Sequence, residues 1–168
     1  MYALIVFLMD QLTKWVVVRH IPLHDSRSII GDFFQLTSHR NRGAAFGILQ
    51  NQRWFFIIIT LIVVVGILWY MRRTIRENKK LLPVALSLLL GGAIGNFLDR
   101  ALFGEVVDFL HFTFQFSFFG NDIYYEYPIF NIADSAIVTG VGLILLESLL
   151  SWRKERRGIG HERESDIS

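Results

Sequence analysis

The chain contains no cysteine, which excludes disulfides, zinc–thiolate sites and a thiol nucleophile. It has no His-Glu-x-x-His motif. His20 and His24 lie one helical turn apart without one, so no metal and no cofactor is expected. There is no Gly-x-Ser-x-Gly elbow, and Ser135 has no His or Lys at membrane depth as an evident base. Gly91-Gly92-Ala93-Ile94-Gly95 lacks the Lys-Ser/Thr of a phosphate loop. No internal repeat or low-complexity tract is present. The net charge of +2 singles out no partner, and no nucleic acid is expected. The opening Met-Tyr-Ala-Leu-Ile has neither the basic start nor the small-residue cleavage site of a removed signal peptide. The first apolar stretch is therefore read as a retained helix, with the natural start expected a few residues upstream.

What the chain has in abundance is apolar surface, with 52% hydrophobic residues and 15 Phe. These residues cluster into four runs near the roughly 20 residues needed to cross a bilayer, at about 1–18, 54–71, 81–98 and 130–152. The first is interrupted by Asp10 and Lys14, the last by Asp134 and Glu147. The expected organisation is a single membrane domain over 1–152. Its loops lie at 19–53 and 101–129 on one side and at 72–80 on the other, and a basic tail follows at 153–168. Arg72, Arg73, Arg76, Lys79 and Lys80 crowd the short linker, and Arg153, Lys154, Arg156, Arg157 and Arg163 the tail, so both belong in the cytoplasm by the positive-inside rule. Both termini are then cytoplasmic and the two longer loops extracytoplasmic. The first of these loops also carries five Arg, but spread over its whole length.

The longer loops carry structure of their own. Residues 28–38 mix β-branched and aromatic residues with turn formers, which predicts short strands and a hairpin. Residues 105–118 are dense in Phe and fit an interfacial amphipathic helix or an edge strand. Phe119-Gly120-Asn121-Asp122 reads as a turn. Asn41-Arg42-Gly43-Ala44-Ala45-Phe46-Gly47 is either a turn entering the second span or a ledge where backbone approaches an extended peptide.

Carboxylates at membrane depth are costly and point to function. Asp108 and Asp134 both fall at the extracytoplasmic ends of apolar runs, where two nearby carboxylates sharing one proton could split a peptide bond with water. Asp10 and Lys14 share one helix face, as do Asn96, Asp99 and Arg100, and Asn131 and Asp134. Taken singly, Asp10–Lys14 reads as a helix-end ion pair and Asp99–Arg100 equally as interfacial anchoring or as function; together they converge on one level. Glu147 sits at the other end and reads as a snorkelling, structural residue. Gly91 and Gly95 form a small-xxx-small face for close helix packing. A proton-coupled carrier would suit charges at the midplane and an inverted repeat, and a lipid-binding assembly protein would leave two carboxylates at matching depth unexplained.

Five ordered segments resemble the bacterial lipoprotein signal peptidases (signal peptidase II): Asp10-Gln11-Leu12-Thr13-Lys14, Asn41-Arg42-Gly43-Ala44-Ala45-Phe46, residues 91–100 from Gly91 to Arg100, Val106-Val107-Asp108-Phe109, and Phe130-Asn131-Ile132-Ala133-Asp134-Ser135. The resemblance implies a membrane aspartic endopeptidase that cleaves prolipoproteins just before a diacylglyceryl-modified Cys. It implies Asp108 and Asp134 as the catalytic pair, and Asn41, Asn96, Arg100 and Asn131 as substrate-backbone ligands. Asp10, Lys14 and Asp99 would support the site. The implied fold is an all-α integral membrane bundle of four transmembrane helices, with a small extracytoplasmic β-cradle between the first two spans and a short periplasmic helix between the last two. Membrane lipid, globomycin-type inhibitors, a monomeric state and a bacterial plasma or inner membrane location complete the expectation.

Overall fold

The computed structural model describes residues 1–44, 48–74 and 81–165. Ala45, Phe46 and Gly47 of the small-residue segment, and Arg76, Lys79 and Lys80 of the basic linker, lie outside the described residues. The element order is α1 (Tyr2–His20), β1 (Ser26–Ile30), β2 (Phe34–Asn41), α2 (Arg53–Thr74), α3 (Leu81–Phe103), β3 (Val106–Phe118), β4 (Asn121–Glu126) and α4 (Ile132–Ser165).

Among the described residues three helices are long and apolar enough to cross a membrane, over Arg53–Arg73, Leu81–Phe103 and Ile132–Lys154. The fold is thus that of a membrane protein with three apolar helices and a small antiparallel sheet. α1 is a helix of similar length, but Asp10, Lys14 and Arg19 set it apart from these three. α3 is the hub, packing against α1, α2 and α4. α2 shows most of its surface outward, including Trp54, Ile58, Ile62 and Val65, which suits a helix whose solvent is hydrocarbon.

Glycines on two sides of α3 permit the close packing. A Cβ on Gly91 would meet the backbone of Ala3 on α1, and one on Gly95 would lie 2.6 Å from Asp10 Oδ2. A Cβ on Gly92 would collide with the Ala133 carbonyl of α4. The small-xxx-small face of Gly91 and Gly95 therefore seats α1, while Gly92 seats α4 on another face.

The loops fold into one antiparallel sheet ordered β1-β2-β3-β4. The expected hairpin over 28–38 is present as β1 and β2. The short periplasmic helix expected between the last two spans is not: among the described residues that stretch is the β3–β4 hairpin, which joins the small sheet of the first loop. The reason is legible in the alternation Phe112, Phe114, Phe116, Phe118 with Thr113, Gln115 and Ser117 between them, a period of two that a helix does not sustain. Phe119 and Gly120 both have positive φ, 49° and 78°, as a two-residue hairpin loop requires. α4 runs on past the apolar run into the basic tail, to Ser165.

The sheet is joined to the bundle in two ways. Val17 of α1 and Ile21 just after it bury against Phe109, with Leu36, Leu110 and Ile132 around them. Phe130, just before α4, is bonded to β3: its carbonyl accepts from the Phe109 and Leu110 amides at 3.0 and 2.8 Å, and its ring stacks on Phe112. Because Gly95 has no room for a side chain, Gly95→Ala is expected to lower stability by about 1–3 kcal/mol. Thermal denaturation in detergent checks this, with the same substitution at Gly142, where a Cβ meets nothing within 4 Å, as the control that stays near wild type.

Candidate active site

The site is built outward from the first turn of α4. A helix leaves its first amides without partners, and an apolar surround makes that costly. Asn131 is the capping residue: its Oδ1 accepts from the Asp134 amide at 2.9 Å, and Asp134 Oδ2 accepts in return from the Asn131 amide at 3.2 Å. This is a capping box with Asp in the place of the usual Glu or Gln. The Ala133 amide donates to Asp10 Oδ1 of α1 at 2.9 Å. α4 is thus capped partly from another helix.

Asp10 in turn anchors a buried polar knot. Lys14 Nζ lies 2.8 Å from both Asp10 Oδ2 and Asp99 Oδ2, and donates to Asn96 Oδ1 at 2.9 Å. Gln11 Nε2 donates to Asp99 Oδ1 at 3.0 Å and lies within reach of Asp10 Oδ2. Asp10 is fully buried, and Lys14 and Asp99 nearly so. The reading of Asp10–Lys14 as a helix-end ion pair is corrected: the pair sits inside the bundle and ties α1 to α3. Asn96 carries the knot on to the site, donating from Nδ2 to Asp134 Oδ1 at 2.7 Å.

Asp108 arrives from the sheet. It is 2% exposed, near the start of β3, opposite His39. The β2–β3 register slips between Leu36 and His39, with an extra residue on β2; such bulges re-aim side chains beside functional sites. Asn131 Nδ2 donates to Asp108 Oδ1 at 2.7 Å, and Asn41 Nδ2, at the end of β2, donates to Oδ2 at 2.9 Å. The Gly43 amide in turn donates to Asn41 Oδ1 at 2.9 Å. Asn131 therefore donates to both carboxylates, to Asp108 from its side-chain amide and to Asp134 from its backbone amide. Burial, and then the negative charge of Asp134, push the Asp108 carboxyl up to about 7.

Both carboxylates face one cavity of about 600 Å³. Asn41, Asn96 and Arg100 line it too, while its other walls are mainly apolar, among them Phe56 of α2, Val106, Ile129 and Val138. Arg100 is aimed by two contacts: its Nη2 donates to the Gly43 carbonyl at 3.0 Å, and its guanidinium lies 4.5 Å from the centre of the Phe56 ring. Of the residues singled out from sequence, Asp108, Asp134, Asn41, Asn96 and Arg100 meet at the cavity. Asn131 bridges the two carboxylates behind it, and Asp10, Lys14 and Asp99 stand further back. Sequence reading missed Gln11 and Phe56. Gln11 had a signal in its place between Asp10 and Thr13, whereas Phe56 looked like any other apolar residue of its run. Among the described residues no three His, Cys, Asp or Glu gather closely enough to hold a metal ion.

Two solved structures share this architecture, both described as bacterial membrane enzyme structures obtained by the in meso method. One matches with a TM-score of 0.75 at 42% identity, covering 89% of this chain and 85% of that one. The other matches with 0.73 at 42%, covering 88% and 90%. The fold and site are those of a membrane enzyme. The family model for Signal peptidase (SPase) II matches residues 2–150. The lipoprotein signal peptidase of Bacillus pumilus is 52% identical over 92% of this chain and 96% of its own length. That of Bacillus subtilis is 49% identical over 94% and 96%. The chain belongs to the signal peptidase II family: it is an aspartic peptidase of the membrane that removes signal peptides from prolipoproteins.

Two outcomes follow for stability. Lys14→Met leaves two buried carboxylates without their cation and is expected to cost about 3–5 kcal/mol, read by thermal denaturation in detergent. Asp108 titrates higher in the folded state, about 7, than its ordinary 3.8. Folded protein therefore binds the extra proton between these values, and this group's contribution to stability grows as pH falls from about 7 to about 4. Asp108→Asn is expected to flatten that part of the stability–pH curve, by up to a few kcal/mol at about 1.4 kcal/mol per unit. An unchanged slope in the variant would contradict the shift.

Proposed function

We propose that Asp108 and Asp134 are the catalytic pair and that the chain cleaves prolipoproteins immediately before a diacylglyceryl-modified Cys. The observation that carries this reading is the shared Asn131, which holds two carboxylates from different elements against one cavity. All four carboxylate oxygens accept an amide donor, and each keeps a lone pair for water or a proton. With Asp108 titrating near 7, its carboxyl can hold and give up a proton around neutral pH. The ionised carboxylate takes a proton from a water molecule, whose oxygen bonds to the scissile carbonyl carbon. The protonated carboxyl donates to the carbonyl oxygen. Collapse of the tetrahedral intermediate breaks the C–N bond, with a carboxyl proton passing to the leaving amine.

Asn41, Asn96 and Arg100 offer side-chain amides and a guanidinium to the extended substrate backbone, and Asn131 orients the pair. Asp10, Lys14 and Asp99 hold Asn96 and the first turn of α4 in place. The substrate enters sideways. Phe56 of α2 and Val138 of α4 border the cavity, both helices lie against α3, and Val138 is largely exposed. Diacylglyceryl chains then remain in lipid while the amide reaches the carboxylates. α1 completes a four-span bundle in the bacterial plasma or inner membrane, working as a monomer, since one chain supplies every group. The exposed Arg72 and Arg73 near the end of α2, and Arg153 and Lys154 at the end of the apolar part of α4, lie away from the site, which supports cytoplasmic termini and an extracytoplasmic active site. Globomycin-type cyclic peptides would occupy the same cavity.

In proteoliposomes given a diacylglyceryl-modified precursor, Asp108→Asn and Asp134→Asn, each alone, are expected to lower kcat at least about 1,000-fold. Glu147→Gln retains turnover at saturating substrate. Near-normal cleavage by either Asn variant would refute the assignment.

A further inference from the structure

A second cavity, of about 280 Å³, lies at the end of the bundle opposite the two aspartates, lined by Tyr70 of α2, Leu82 of α3, and Ile144, Glu147 and Ser151 of α4. It shares its two outer walls with the aspartate cavity, since α2 carries Phe56 at one end and Tyr70 at the other, and α4 carries Asp134 and Ser148. In both helices these positions are about four turns, or about 21 Å, apart. Between the two cavities Ile59 and Val63 of α2 and Val138, Val141 and Leu145 of α4 are exposed. The two cavities are thus the ends of one apolar track along the surface of α2 and α4, with a carboxylate at its far end. Among the described residues no ion pair is formed by Glu147; further along these helices Arg73 and Arg156 lie against Trp69 and Trp152, and Arg153 and Lys154 are exposed.

A signal peptide has a matching layout. Its apolar segment of about 7–15 residues separates the cleavage site from a basic N-terminal segment, and as a helix spans about 10–22 Å. We infer that the Glu147 cavity is a second substrate subsite, which binds a Lys or Arg side chain of the signal peptide's basic N-terminal segment while the apolar segment lies along α2 and α4. This rests on the prolipoprotein reading above and adds to it a length and charge requirement at the far end. Glu147 touches the substrate but not the reacting atoms, so its contribution is uniform binding: it acts on KM and leaves kcat unchanged.

The test uses the full chain in proteoliposomes and three diacylglyceryl-modified precursors whose N-terminal segments carry Lys, Gln or Glu at the same positions. Wild type is expected to show a KM about fivefold lower for the Lys precursor than for the Gln precursor, the size of a half-exposed ion pair. Glu147→Gln abolishes that difference, and Glu147→Lys reverses the preference toward the Glu precursor, all at constant kcat. Equal KM values for the Lys and Gln precursors with wild type would overturn the subsite, as would a Glu147→Gln effect of the same size on both. Failure of wild type to cleave any diacylated precursor would instead overturn the prolipoprotein reading and the subsite with it.

Discussion

The structure depends on how the first turn of α4 is satisfied. Its amides point into a junction of three helices and a sheet, where water is scarce and an unpaired donor costs several kcal/mol. Asp10 takes one of them from α1, and Asn131 and Asp134 take two more from each other. Because Asp10 is ionic, Lys14 must lie beside it, and because Lys14 has further donors, Asp99 and Asn96 are drawn in from α3. Asn96 then fixes Asp134. The chain of necessity runs from a helix end to the orientation of a carboxylate, with no step that serves the chemistry alone.

The sheet supplies the second carboxylate by a different route. Phe130 is pinned to the backbone of Phe109 and Leu110, so Asn131 and Asp108, one residue further along on each side, must face each other. The bulge in β2 adjusts the register where His39 opposes Asp108, and the stacked rings of Phe34, Phe112 and Phe130 stiffen the same corner. A mobile loop would allow Asp108 to turn toward water. Fixed here, it is held beside Asp134 at the expense of an elevated proton affinity, the kind of local instability that functional sites carry.

Much of this was legible in the sequence, for identifiable reasons. α2, α3 and α4 contain the long apolar runs, because a bilayer imposes length and composition together. The polar residues at helical spacing stood out because apolar surroundings leave few polar groups without a purpose. The β3–β4 hairpin was harder to read: Phe density fits a strand or an interfacial helix equally, and only the alternation from Phe112 to Phe118 separates them. The capping of α4 by Asp10 was invisible, since nothing local to either segment encodes a contact between residues so far apart in the chain. Gly92 and Phe56 were hidden for the same reason. Their neighbours, Ala133 and Arg100, come from elements that only the packing brings near.

The placement of the polar groups also separates a hydrolase from a carrier. A proton-coupled carrier needs its ionisable groups where two access routes alternate, near the midplane and between repeats. Here the buried charges gather at one end, where three helices meet the sheet, and they are fixed by packing from α1, α3, β2 and β3 at once. A site so overdetermined is suited to holding two carboxylates still against a substrate amide and unsuited to rocking between two faces. In the proposed reading the apolar surface beside it does the complementary work: α2 and α4 carry exposed apolar residues along their outer faces, by which a substrate helix in the membrane would reach the carboxylates. Rigidity at the carboxylates and openness toward lipid are thus built by the same helix, α3, which the polar knot fastens to α1 and the first turn of α4, and along which α2 and α4 lie with their outer faces free.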